Sequence, residues 1–147
     1  MARRVFFSFH YEHVWRANQI RNIHNVIGCS AAGFRDGSLW EEAKENGDAV
    51  VKRLIDEGLK NTSVTVVCVT LGTINRRYIN YEIDKSLERG NGLVAVQIHD
   101  LKDRYGGTSQ PGTIPPKIAA NGFKAYKYSN QERLATWIEE AGQLAGR

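Results

Sequence analysis

The acidic residue most suited to chemistry by its setting is Glu82, in the segment Arg76-Arg77-Tyr78-Ile79-Asn80-Tyr81-Glu82-Ile83. If Ile79 and Ile83 point into a core, Glu82 lies on the flank of that face, within the first two turns of its helix. A helix N-terminus favours an ionised carboxylate. Beside a ribose, such a group can hydrogen-bond the hydroxyls and stabilise positive charge developing at the anomeric carbon. The plainer reading is a solvated glutamate paired with Lys85 or Ser86, and position alone favours it.

Other candidates come from distant parts of the chain. Ser8 ends an apolar run, followed by Phe9, His10 and Tyr11. A hydroxyl at a strand tip can face a ligand, or it can cap a turn. His10 can act as acid or base, although no triad partners accompany it and a loop histidine is more often polar surface. Trp40 follows Asp36-Gly37-Ser38-Leu39, and can stack on a base or plug the loop from beneath. Arg16, Asn18 and Arg21 form a polar stripe that either reaches phosphates or is a solvated face. Gly90-Asn91-Gly92 follows a helix and precedes a strand, the reverse of a dinucleotide fingerprint. Gly72-Thr73 lacks the Gly-Lys-Ser/Thr of a P-loop.

The elements that must position these residues alternate along the chain. Arg4 to Phe9, Ser63 to Thr70 and Leu93 to Ile98 are short apolar runs that read as buried strands. Phe123 to Tyr128 is a last strand, and Ala32 to Arg35 a weak second one. Ile20, Ile23 and Ile27 recur at helical spacing, with Gly28 placed to end the helix. Leu39 to Lys44 can form one or two helical turns. Asp48 is placed to cap a helix carrying Val51, Ile55 and Leu59 on one face. Arg76 to Arg89 is a helix ending at Gly90. Leu134, Trp137, Ile138, Ala141 and Leu144 mark a final amphipathic helix. This order predicts an α/β fold of three layers, a flavodoxin-like five-stranded parallel sheet of order 2-1-3-4-5. Ligands of such sheets bind at the strand carboxyl ends, where Ser8 to Tyr11, Asp36 to Trp40 and Thr70 to Glu82 are expected to meet.

Bulk properties narrow the class. The 147 residues fit a single domain, 1–147, with 41% hydrophobic and 24% charged residues. The net charge of +4 is scattered, so no dense basic stripe points to nucleic acid. Of the two cysteines, Cys68 sits in an apolar run and reads as a buried hydrophobe, and neither it nor Cys29 has metal-site spacing. No run is long enough to cross a membrane, and the start enters a strand pattern with no cleavage site. These features point to the cytoplasm, with no metal and no membrane or nucleic-acid partner.

Three segments taken together resemble the TIR-like family. In Arg4 to Asn22, Val5-Phe6-Phe7-Ser8-Phe9 is similar to the first TIR box, an apolar strand closed by serine and an aromatic. Asp36 to Asp48 resembles the family's loop after strand two. Thr70 to Gly90 resembles the segment bearing the catalytic glutamate of NAD⁺-cleaving TIR domains. Animal and plant members often have a proline in the loop after strand two, and Phe34 to Trp40 has none. The acidic residue after the first box is matched only loosely by Glu12.

Within that family the chain resembles the TIR-like proteins of the Thoeris anti-phage system. It implies an enzyme that uses NAD⁺ as substrate, not cofactor, and makes a cyclic ADP-ribose isomer. A phage-derived trigger would start the reaction, the isomer would activate a separate effector, and the enzyme could work as a homo-oligomer. By this resemblance Glu82 is catalytic, and Phe7, Ser8, His10, Asp36 and Trp40 are substrate-binding residues. A non-enzymatic TIR-like adaptor is the alternative, since one scaffold hosts many functions. A phospho-receiver is disfavoured, because Val69-Thr70-Leu71-Gly72 offers no acceptor aspartate after strand three.

Overall fold

The computed structural model describes residues 3–20, 26–29, 45 and 47–147. The strands are β1 (Arg3–Ser8), β2 (Val26–Cys29), β3 (Val64–Val69), β4 (Gly92–Gln97) and β5 (Lys124–Lys127). They pair in parallel in the order β2-β1-β3-β4-β5. The helices are α1 (Val14–Asn18), α2 (Asp48–Leu59), α3 (Arg77–Glu88), α4 (Pro116–Ala120) and α5 (Gln131–Leu144).

The period-2 alternation of strand side chains divides the apolar residues between two layers. On one face Val5, Phe7, Val66, Cys68, Val94 and Val96 pack with Ile20 and with Leu134, Ile138 and Ala141 of α5. On the other, Phe6 packs on Val51, Ile55 and Leu59 of α2, while Val67, Val69, Leu93 and Ala95 meet Ile79 and Ile83 of α3 and Ile118 of α4. Every residue of β3 is buried, as a central strand covered on both faces requires. At the β5 edge, Tyr126 stacks on Trp137 of α5 with ring centroids 4.3 Å apart.

Several local expectations are corrected. The helical spacing of Ile20, Ile23 and Ile27 does not produce a helix closed by Gly28. Helix α1 ends at Asn18, and Val26–Cys29 is β2, paired from Arg3↔Val26 to Phe6↔Cys29. β-Branched Val26 and Ile27 suit a strand, and pairing there satisfies backbone groups along one side of β1. Asp48 is the first residue of α2, and the cap is Gly47, at φ 99°. Leu144 is 52% exposed at the end of α5 and joins no core. Ala32 to Arg35, Leu39 to Lys44, Asp36 and Trp40 lie outside the described residues.

Candidate active site

The site forms where the carboxyl end of β1 meets the first turns of α3. Ser8 is the last residue of β1 and shares the face of Phe6, toward α2 and α3. It is fully buried, and its Oγ donates to Glu82 Oε1 at 2.9 Å. Glu82 is itself only 5% exposed. Burial raises the pKa of its carboxyl to about 8, and the Ser8 hydrogen bond opposes that rise only in part. The expectation of an ionised carboxylate at neutral pH is therefore corrected. Loss of water around the charge outweighs the favourable field of the helix N-terminus.

Glu82 borders a cavity of about 200 Å³. Phe9, Ile55, Tyr78 and Ile79 supply apolar wall, and His10, Asn75, Arg76 and Arg77 supply polar groups. The backbone N–H of Glu12 donates to His10 Nδ1 at 3.3 Å, which fixes the turn after β1. Arg76 Nη2 donates to Glu12 Oε2 at 3.2 Å. The hydroxyl of the lining Tyr78 donates to Asp48 Oδ1 at 2.8 Å, and Asp48 also pairs with Arg77 and Lys52.

Of the residues expected from sequence, Glu82 and His10 line this cavity and Ser8 touches it through Glu82. Phe7 does not. It is 1% exposed and packs in the core on the opposite face of the sheet, because it alternates with Ser8. That placement removes it both as a wall of the pocket and as a stacking platform.

Arg16 is also reassigned. It is 5% exposed, and its guanidinium donates to the carbonyls of Leu101 at 2.7 Å and Gly107 at 3.2 Å. It also donates to His13 Nδ1 at 2.9 Å, which places the His13 proton on Nε2, toward Thr70 Oγ1 at 2.8 Å. Burial, then the Arg16 charge, holds the His13 pKa below its usual value, so this histidine is a neutral strut. The phosphate reading of Arg16 is thus replaced by a structural one, in which it ties α1 to the loop after β4.

Residues 6–103 match the family described as Thoeris protein ThsB, TIR-like domain. The chain belongs to the ThsB TIR-like family. A Bacillus cereus (strain MSX-D12) protein named “Putative cyclic ADP-D-ribose synthase ThsB1” is 47% identical to it over 146 residues, spanning 97% of this chain and 73% of that protein. In this ThsB-family chain the sequence reading missed Ile55 as a cavity wall, while Phe9 lay within the Ser8 to Tyr11 segment expected at the site without being named as a wall. Ile55 carried no signal, because its place in the apolar stripe of α2 reads as core. Among the described residues of the family member, no group of three or more His, Cys, Asp or Glu could hold a metal ion. No helix among them is long and apolar enough to cross a membrane.

Proposed function

We propose that this ThsB-family chain cleaves the nicotinamide–ribose bond of NAD⁺ and closes the remainder into a cyclic ADP-ribose isomer. The observation that carries the reading is the carboxyl of Glu82, buried and held by Ser8 on the border of a cavity. The name of the Bacillus cereus relative supports the product class.

The raised pKa of Glu82 fits this chemistry. The nicotinamide ring of NAD⁺ is cationic, and a cation beside a carboxyl favours its ionised form. Entry of the ring therefore draws the proton off Glu82 and leaves a carboxylate in a site of low dielectric. When the glycosidic bond breaks, its electron pair passes to the ring nitrogen and neutral nicotinamide departs. Positive charge moves to the ribosyl carbon, as in an oxocarbenium ion. The fixed carboxylate stabilises that charge more strongly than water-screened groups could. With water excluded, an internal hydroxyl or adenine ring nitrogen attacks the carbon and gives up a proton as the ring closes. In this reading the product diffuses to a separate effector, and a phage-derived component starts the reaction.

The deciding experiment follows nicotinamide release from NAD⁺ by the purified protein supplied with extract of phage-infected cells. Release by the wild type and its loss in Glu82→Gln supports the reading. Equal release by both removes it.

A further inference from the structure

Deepening that NAD⁺ reading and resting on it, we infer that Arg76 is the diphosphate contact of the cavity and that the Glu12 carboxylate occupies it when no ligand is bound. The cavity runs from a buried end to an open rim. Glu82 is 5% exposed, whereas the side chains of Arg76 and Arg77 are 37% and 65% exposed. At about 200 Å³ it is smaller than pockets that enclose a whole drug-sized ligand, roughly 300–1,000 Å³. Among the described residues it therefore takes one end of a dinucleotide. With the nicotinamide riboside end at Glu82, the diphosphate falls at the rim.

A diphosphate needs charge-assisted donors, and arginine supplies two in one plane. The two rim arginines differ. Arg77 is engaged by Asp48, which also accepts from Tyr78 and pairs with Lys52, and its guanidinium lies 5.1 Å from the Tyr78 ring centre. That cluster fixes a wall. Arg76 is held by Glu12 alone among carboxylates of the described residues, and Glu12 is 53% exposed. Glu12 Oε2 lies 3.2 Å from Arg76 Nη2 and 3.8 Å from His10 Nδ1. Arg76 and His10 both line the cavity. One acidic oxygen thus sits on the rim guanidinium, in the place a phosphate oxygen would take.

The pair is also easy to exchange. An exposed ion pair contributes little to stability, so a forked contact to phosphate can replace it. The Arg76 backbone stays fixed meanwhile, because its N–H donates to Thr73 O at 3.0 Å and its carbonyl accepts from Asn80 N at 3.1 Å. Only the guanidinium needs to move. Glu12 then acts as a competitor built into the chain, setting how much ligand is needed to fill the site.

Calorimetric titration of ADP-ribose and of inorganic pyrophosphate tests this. Arg76→Gln should weaken both by about tenfold or more, with Arg76→Lys between, since lysine keeps the charge and loses the fork. Glu12→Gln should tighten both by roughly threefold or more, and this gain should vanish in the Arg76→Gln background. Glu88→Gln, an equal charge change on an exposed part of α3, should shift neither by more than about twofold. Melting temperatures confirm that each variant is folded. Unchanged binding in Arg76→Gln overturns the assignment, as does a gain from Glu12→Gln that survives loss of Arg76, or a wild type that binds neither probe. A wild type that binds pyrophosphate through Arg76 yet releases no nicotinamide when triggered keeps the anion site and removes the NAD⁺ reading.

Discussion

Ser8 Oγ and Glu82 Oε1 stand 2.9 Å apart, a buried hydrogen bond between residues 74 positions apart in the chain. The bond joins the tip of an inner strand to the second turn of α3. A lone buried carboxyl is costly, and one donor lowers that cost without forcing the group to ionise. In the proposed reading Glu82 changes charge when the cationic ring enters beside it.

Glu82→Gln keeps the shape of the side chain and removes the ionisable group. The rate of nicotinamide release should fall by about a hundredfold or more, on the order of 3 kcal/mol of transition-state stabilisation. The fold should survive, because the amide oxygen can still accept from Ser8. Glu88→Gln, exposed on the same helix, should retain activity. Steady-state kinetics of the triggered enzyme checks both variants.

The pH dependence has a definite sign. If the ionised form of free Glu82 is the productive one, kcat/KM should rise with pH up to about 8 and then level off. Stability should run the opposite way. The folded pKa lies above the unfolded value of 4.5, so the folded state holds the extra proton between 4.5 and about 8. The contribution of the protonated group is complete below 4.5 and is lost as pH rises through about 8. Denaturant titrations of wild type and Glu82→Gln across that range measure it. The difference should be a few kcal/mol at most, and equal pH slopes in the two proteins would show that Glu82 is not buried in solution.

Ser8→Ala removes the donor to Glu82. The carboxyl should then hold its proton more firmly, moving the rising limb of the kcat/KM profile to higher pH. Stability should drop by about 1–3 kcal/mol, the scale for leaving a buried polar group without its partner. An unmoved pH profile, read from the same kinetic assay, would show that Ser8 does not tune Glu82.

The main product should have the mass of ADP-ribose less one water. Capture by an internal nucleophile requires a cation shielded from solvent, and the burial of Glu82 supplies one wall of that shield. Mass spectrometry of a triggered reaction identifies the product. Linear ADP-ribose with no dehydrated isomer would mark a hydrolase and remove the signalling role.

Much of the framework was legible in the sequence because it rests on local apolar pattern. The runs at Val5 and Val64 are continuous, and they pair as β1 and β3. The stripe of Ile79 and Ile83 placed Glu82 correctly beside a core face. What the pattern could not supply was depth. The spacing of Glu82 fits an exposed flank equally well, and only the arrival of Ser8 from β1 distinguishes the two. Phe7 was misplaced because a continuous apolar strand does not reveal which residues face which layer. Val26 and Ile27 were misread because the same isoleucine spacing serves a helix until an open strand edge is available. Arg16 reads as a phosphate contact or a solvated face because its acceptors are backbone carbonyls 85 and 91 positions away.

The parallel order of the sheet also governs when the site can exist. Strand β1 is complete at Ser8, but its partner β3 begins at Val64 and Glu82 follows later. Chains leave the ribosome N-terminus first, and contacts between distant segments form slowly. The nascent chain therefore carries the β3 edge of β1 unpaired until Val64 has been made, a span in which strand edges invite aggregation. A chain released before α3 has a strand tip and no carboxyl to meet it. The contact between Ser8 and Glu82 consequently reports a chain extended at least into α3, and a product of translation that stops short of it lacks the carboxyl.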